Sequence, residues 1–205
     1  MSKLIRKSGD LRKEWYDGAH KFEHWYVDRS VYLITSRVRG RLHVFTTPET
    51  CDIFWLKFEQ YAAENAFEPW IVTLMSNHYH VIGFLEEGKR LGEMMRKFHG
   101  SVAWMVCKSL GIIHKPFWRD DQHRDYFDGC LRDETQLTRS YRYVLTQAER
   151  AGVVGPHQAY PNTRAYVTLD EALRRAITRN ALLKGVPYAR YDDPQRKRRR
   201  QVDPT

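Results

Sequence analysis

The chain has little cysteine and no long apolar run, and each scarcity closes off a class of protein. Cys51, Cys107 and Cys130 are the three cysteines in 205 residues, and they form no Cys-x-x-Cys pair. Neither a zinc ribbon nor a disulfide framework is therefore indicated, and a reducing compartment is the default. No stretch approaches the roughly 20 apolar residues that a membrane-spanning helix needs. Met1-Ser2-Lys3-Leu4-Ile5-Arg6-Lys7 carries charge without the apolar segment that a secretory leader places behind it. A soluble, cytoplasmic protein with no membrane partner is expected. Acidic residues are also in deficit: 34 Lys and Arg against 25 Asp and Glu give a formal net charge of +9. That balance favours a polyanionic partner, because neutralising phosphates releases condensed counterions and drives binding of any sequence.

The remaining composition, 42% hydrophobic over 205 residues, suffices for one well-buried domain with appendages. After a basic arm over residues 1–25, the segment Arg29 to Arg39 is rich in Val, Tyr, Ile and Thr and reads as a strand. Thr47-Pro48 opens a helix with Thr as N-cap and Pro at the first helical position, and Phe54, Phe58, Tyr61 and Ala62 follow at helical spacing. Glu68 to Met75 and His78 to Leu85 read as two antiparallel strands joined at Ser76-Asn77. Leu91, Met94, Met95, Phe98, Val102, Met105 and Val106 mark the core stripe of a long helix whose other side shows Arg96, Lys97 and Lys108. A short strand near His123 to Asp128 precedes the next helix. The order βαββαβ predicts an α+β, ferredoxin-like sheet with helices on one face, a class that by itself says nothing of function.

His78-Tyr79-His80 is the motif with most chemical content. Two imidazoles two residues apart on a strand project from one face and can share a metal ion. Later in the chain, Asp133 and Gln136 fit a capping box, and Gly152 can end the helix that starts there. Leu137, Tyr141, Val144, Leu145 and Ala148 form its core stripe. Tyr143 and Gln147 stand at i,i+4 on a different face. Two His, an amide and a Tyr can compose a metal-assisted nucleophilic site, with Tyr141 a packed core residue and Tyr143 presented outward.

In these residues the chain resembles the single-tyrosine HUH transposases, and within them the REP-associated tyrosine transposases. The likeness runs through Met75-Ser76-Asn77-His78-Tyr79-His80-Val81-Ile82, the helix from Leu91 to Leu110, Phe117-Trp118, Tyr126-Phe127-Asp128, Leu131-Arg132-Asp133-Glu134, and Tyr143-Val144 through Ala151-Gly152-Val153-Val154. It spans about Tyr26 to Val154. Two positions depart: Ser76 stands where the family usually has Pro, and Gln147-Ala148 where many REP-associated members have Asn-Pro. Ser is also a turn former, and Gln keeps the side-chain amide, though the subfamily is left open. The resemblance implies an HUH domain over 26–155; beyond it the residues themselves predict a C-terminal helical extension over 156–190 and a basic, disordered tail over 191–205. It also implies a substrate of single-stranded DNA bearing a hairpin, a REP-like palindrome. Active sites completed by a second subunit occur in part of the family, so monomer and homodimer both stay open.

The implied chemistry is attack by Tyr143 on a phosphodiester, giving a 5′-phosphotyrosine and a free 3′-hydroxyl. A phenol with an ordinary pKa of about 10 is a poor nucleophile at neutral pH, and no general base stands out. His78, His80 and Gln147 are the expected ligands of a divalent cofactor, Mg²⁺ or Mn²⁺, acting as Lewis acid on the phosphate. Arg37, Arg39 and Arg41 share a strand face if the strand continues that far, and would make a phosphate-gripping ridge or a solvated edge. Arg96 and Lys97 are further candidates for DNA contact. So is the block Arg196-Lys197-Arg198-Arg199-Arg200. Phe117-Trp118 and Tyr126-Phe127 could stack bases, though core packing accounts for such rings more simply. His99, His114 and His123 read as structural or surface residues, and Asp120-Asp121 as no second metal site. Thr168 and Glu171 cap a helix expected to reach Lys184, stopped by Gly185 and Pro187, with Arg174, Arg175 and Arg179 on its polar side. Two other classes compete: a catalytically silent DNA-binding relative, whose sign would be a lost catalytic residue, and a replication-initiator or relaxase nuclease. The chain has lost none of the catalytic residues, and it lacks the second-Tyr arrangement and helicase segment of the last class.

Overall fold

The computed structural model describes residues 26–119 and 125–183, together with a two-residue antiparallel pairing of Glu14–Trp15 with Glu23–His24. The elements are β1 (Ser30–Arg37), α1 (Pro48–Glu64), β2 (Phe67–Leu74), β3 (His78–Leu85), α2 (Arg90–Leu110), β4 (Phe127–Cys130), α3 (Glu134–Leu145), α4 (Gln147–Arg150), β5 (Thr163–Ala165) and α5 (Leu169–Thr178). From β1 to β4 this is the expected βαββαβ order. The sheet has five strands in the order β4-β1-β3-β2-β5, every neighbouring pair antiparallel. The fold is α+β, as the patterning predicts.

Strand alternation sorts the core into two. Tyr79, Val81 and Leu85 of β3, with Tyr32 and Ile34 of β1 and Val72 and Leu74 of β2, pack against α1 and α2 through Phe54, Phe58, Leu91, Met94, Phe98 and Val102. The opposite face carries Val31, Ile71, Ile82 and Phe84 and is covered by Leu137, Tyr141 and Val144 of α3 and by Ala172 and Ala176 of α5. Helices on one face describe α1 and α2 only; α3 and α5 cover the other. The reason is that β1, β2 and β3 are apolar on both faces, and a sheet of that kind must be covered twice. Residues 156–183 therefore supply an edge strand and a helix to the second core.

The caps act as the sequence suggests, with local differences. Thr47 and Thr50 form a reciprocal capping box on α1. Asp133 accepts the Gln136 N–H at 2.7 Å, and the Gln136 side chain takes the N–H of Arg132 at 2.9 Å. The helix expected to run unbroken to Gly152 is interrupted at Thr146, whose backbone leaves the helical region at φ −98° and ψ 10°. Leu145, expected in the core stripe, is 48% exposed; at 100° per residue it stands about 70° from the centre of the stripe, beyond the arc that the sheet covers. The C-terminal helix ends at Thr178, short of Lys184, because Asn180 turns left-handed at φ 49° and Ala181 N–H closes back on Ala176 O at 2.9 Å. Lys184, Gly185, Pro187, Asp120-Asp121 and His123 lie outside the described residues. The expected strand near His123 to Asp128 is Phe127–Cys130.

His99 is a core residue. Its Nε2 lies 2.7 Å from Tyr79 Oη, and its ring stacks on Trp118 with centroids 4.6 Å apart. Phe117, Trp118 and Tyr126 are buried in the same core, which leaves those three rings no face for stacking bases. Burial pushes the His99 imidazole down to about 3 from its ordinary 6.5, so the folded protein holds it neutral where the unfolded chain would protonate it. Its contribution to stability is intact above about pH 6.5 and is lost as pH falls toward 3, by up to about 1.4 kcal/mol per unit. Urea unfolding at pH 7, 6 and 5 is expected to show stability falling with pH, with a shallower fall in His99→Gln. An unchanged slope in that variant would assign the acid sensitivity elsewhere.

Candidate active site

β3 is the central strand, and its outward alternation places His78, His80, Ile82 and Phe84 on the face that α3 covers. At the end of the strand nearest the Ser76-Asn77 turn, apolar residues give way to a polar pocket. Arg37 and Thr35 of β1 lie directly across from His78 and His80, and Thr73 of β2 lies across from His80 on its other side. The hairpin is closed by Met75 N–H donating to His78 O at 2.8 Å, which fixes the register and with it the face that both imidazoles occupy.

Each imidazole has one nitrogen held. His78 Nδ1 is 2.7 Å from Asn77 Oδ1. Since that oxygen only accepts, Nδ1 carries the proton and Nε2 bears a lone pair. His80 Nδ1 is 2.8 Å from Thr35 Oγ1, a hydroxyl able to accept from it. The two rings are edge to face at 5.1 Å between centroids. Burial, with the neighbouring charges of Arg37 and His43, lowers His78 to about 4. Burial, then His78 and Arg37, lowers His80 to about 3. Both imidazoles are neutral at pH 7, the form that ligates metals.

The helix break brings the remaining groups in. Gln147 opens α4, and its amide nitrogen donates toward His78 Nε2 at 3.4 Å. The ring of Tyr143, on the last turn of α3, stands edge-on to His80 with centroids 5.1 Å apart. Arg150 places its guanidinium 5.4 Å from the centre of the Tyr143 ring. Tyr143 is 38% exposed, whereas Tyr141 is buried and donates its hydroxyl to Val167 O. The two tyrosines thus divide into a surface and a core residue as the stripe predicts. Tyr143 meets His80 from the last turn of α3 and Gln147 meets His78 from the start of α4, on either side of the interruption at Thr146.

Two buried polar atoms here lack a partner: His80 Nε2 and Gln147 Oε1. An unsatisfied buried acceptor is costly, so a pair of them beside His78 Nε2 marks a place shaped for something else. With the second nitrogen of each His held by Asn77 and Thr35, the donor set of two neutral imidazoles and an amide oxygen suits a divalent ion. No cluster of three or more His, Cys, Asp or Glu occurs among the described residues; this set is outside that pattern because its third member is an amide.

Other candidates fall elsewhere. Arg37 is at the site. Arg39 and Arg41 do not extend a strand ridge: β1 ends at Arg37, and Arg39–Arg41 form a 3-10 turn around Gly40 at φ 66°. Arg96 and Lys97 belong to α2, on the far side of the sheet from Tyr143, and Lys97 pairs with Glu93 at 3.0 Å. Arg196, Lys197, Arg198, Arg199 and Arg200 lie outside the described residues. Asn77, Thr35 and Thr73 are the residues that sequence reasoning missed as site components. Asn77 was visible only as a turn residue, and the two threonines look like ordinary strand formers.

No protein-family model matches the chain, and no curated protein matches it. The five-stranded antiparallel sheet carries the His pair on its central strand. Among solved structures the chain is similar to a REP-associated tyrosine transposase bound to a REP hairpin. The two are 16% identical over 79% of this chain and 87% of that one, with a TM-score of 0.53. A chain from Deinococcus radiodurans R1 provisionally assigned as a transposase aligns at 13% identity over 70% of this chain and 98% of its own, with a TM-score of 0.39, too loose to carry an argument. The first likeness establishes a shared fold.

Thr73 ties the sheet to the Tyr143 helix. Fully buried, it donates Oγ1 to Val144 O at 2.7 Å, one residue beyond Tyr143, and lies 2.9 Å from Thr163 Oγ1. Thr73→Val keeps the shape but strands that carbonyl, so it is expected to cost about 1 to 3 kcal/mol in urea unfolding. Thr73→Ser should lose less, since it retains the donor. A larger loss in Thr73→Ser than in Thr73→Val would mean that the methyl group, not the bond, holds α3.

Proposed function

We propose that this chain is a transposase-like DNA endonuclease and strand transferase of the REP-associated type, cutting single-stranded DNA beside a hairpin through a covalent phosphotyrosine. The observation that carries this is the meeting, within one chain, of the Tyr143 ring with His80 at 5.1 Å and of the Gln147 amide with His78 at 3.4 Å. The net charge of +9 supports an anionic substrate. The hairpin held by the similar solved transposase supports its form.

In the proposed step the phenolic oxygen of Tyr143 attacks phosphorus in line with the bond to the 3′ oxygen. A Tyr–O–P bond forms, the P–O3′ bond breaks, and the phenolic proton ends on the released 3′-hydroxyl. Attack by a 3′-hydroxyl on the phosphotyrosine reverses these changes and joins strands without ATP. A divalent ion, Mg²⁺ or Mn²⁺, held by His78, His80 and the Gln147 oxygen would supply Lewis-acid polarisation of the scissile phosphate. Asn77 and Thr35 keep the imidazoles turned toward it, and Arg37 adds positive charge at the same end of the sheet.

Incubation with a labelled hairpin bearing a single-stranded flank, followed by denaturing electrophoresis and peptide mapping, tests this reading. The wild-type protein should carry label on Tyr143. Tyr143→Phe should lose the adduct by about 10³-fold or more while binding DNA normally, and Tyr141→Phe should keep it. His80→Ala should abolish cleavage, and so should EDTA. Label recovered on any other residue would overturn the nucleophile, and cleavage that persists in EDTA would remove the metal.

A further inference from the structure

Two arginine-rich grooves flank the second core, and they differ in how their charge is used. In one, Arg174, Arg175 and Arg179 of the α5 region line a depression with Glu68 and Glu171, and every guanidinium is answered. Arg174 and Arg175 pair with Glu171, and Arg175 and Arg179 pair with Glu68. This groove is an internal ion-pair network that holds α5 to β2. The other, about 530 Å³, is lined by Leu33, Arg139, Ser140, Arg142, Tyr143, Thr146 and Arg150. Its lining contains no carboxylate. Among the described residues Arg139, Arg142 and Arg150 make no ion pair, although each is exposed. Arg139, Tyr143, Thr146 and Arg150, at i, i+4, i+7 and i+11, line one flank that runs from α3 across the interruption at Thr146 to the end of α4.

Three unneutralised guanidiniums along one groove repel one another unless an anion lies between them, and a guanidinium presents a fork that fits phosphate oxygens. The side chain in the middle of that flank is the one proposed to attack a phosphodiester. We infer that the groove of Arg139, Arg142 and Arg150 is the phosphate track along which the single strand approaches Tyr143, with Arg150 gripping the phosphate beside the one attacked. The inference rests on the reading of Tyr143 as nucleophile and extends it to the path of the substrate. It adds a DNA contact to those that sequence alone nominated; of these Arg37 is at the site, Arg39 and Arg41 sit in a turn, and Arg96 and Lys97 lie behind the sheet.

The experiment measures binding without chemistry. In a Tyr143→Phe background, a fluorescein-labelled single-stranded 20-mer without self-complementarity is titrated at several salt concentrations. Its partner probe is a blunt hairpin of the same composition. Replacing Arg139, Arg142 and Arg150 together with Gln is expected to weaken single-strand binding roughly tenfold and to flatten the log-log salt slope by about 2, on the order of 0.7 per lost phosphate contact. Replacing all three with Lys should restore most of the slope, and Arg174→Gln should change neither quantity. Superimposable titrations of the Gln variant and its parent would overturn the proposal. So would an equal loss on the blunt hairpin, which would make the groove a general backbone contact. Because these titrations need no cleavage, a missing adduct on Tyr143 in the wild-type protein would defeat the nucleophile reading separately.

Discussion

The register of the central strand is the constraint on which the rest depends. β3 pairs with β1 on one side and β2 on the other, and its residues alternate between two cores that share no members. A slip by one residue would send Tyr79, Val81 and Leu85 toward α3 and press two imidazoles into the aromatic core against Phe54 and Phe98. That exchange strands polar groups on one face and leaves apolar volume unfilled on the other. The hairpin at Ser76-Asn77 guards against it with the Met75–His78 bond and with Ser76 O, which accepts both Val44 N–H and Phe45 N–H at 2.9 Å.

From this register the polar pocket follows. The sheet face under α3 is apolar along most of its length and polar only where β1, β2 and β3 bring Thr35, Thr73 and the His pair level with one another. Desolvation there keeps both imidazoles neutral. Asn77 and Thr35 hold one nitrogen of each, so the free nitrogens point where the Gln147 amide arrives. The pocket is built from rigid strands on one side and a helix end on the other, a construction that places functional atoms more tightly than loops do. The bond from Thr73 to Val144 O is the link between the two halves, since it anchors the helix turn that carries Tyr143 to the strand beside His80.

Charge is distributed by the same economy of position. Arginines that face acidic neighbours, as on α5, spend their charge holding the fold together. Those on the open flank of α3 face none, and that flank runs past the proposed nucleophile. Whether an arginine is structural or substrate-directed is therefore a matter of what lies opposite, and identical residue types fall on both sides of that line within one molecule.

Much of the fold is legible in the chain because its signals are local. Runs of β-branched and aromatic residues mark β1 to β3, and the caps at Thr47, Asp133 and Thr168 mark three helix starts. The stripe of Leu137, Tyr141, Val144 and Ala148 separates Tyr141 from Tyr143, and the His pair needs only strand geometry to share a face. What the chain alone left open depends on partners distant in sequence. The stop of β1 at Arg37 and the turn at Arg39–Arg41 follow from Asn77 and Phe117 taking the next backbone bonds, at Val38 N–H and Arg39 N–H. The coverage of both sheet faces, the roles of Thr35 and Thr73, and the meeting of Gln147 with His78 across 69 residues all require the sheet to be assembled first. The sequence by itself determined which residues could ligate, attack or pack, because those capacities are properties of side chains and local periodicity. Only the tertiary structure decided which of them meet, because hydrogen bonds and unneutralised charge depend on what the fold places opposite.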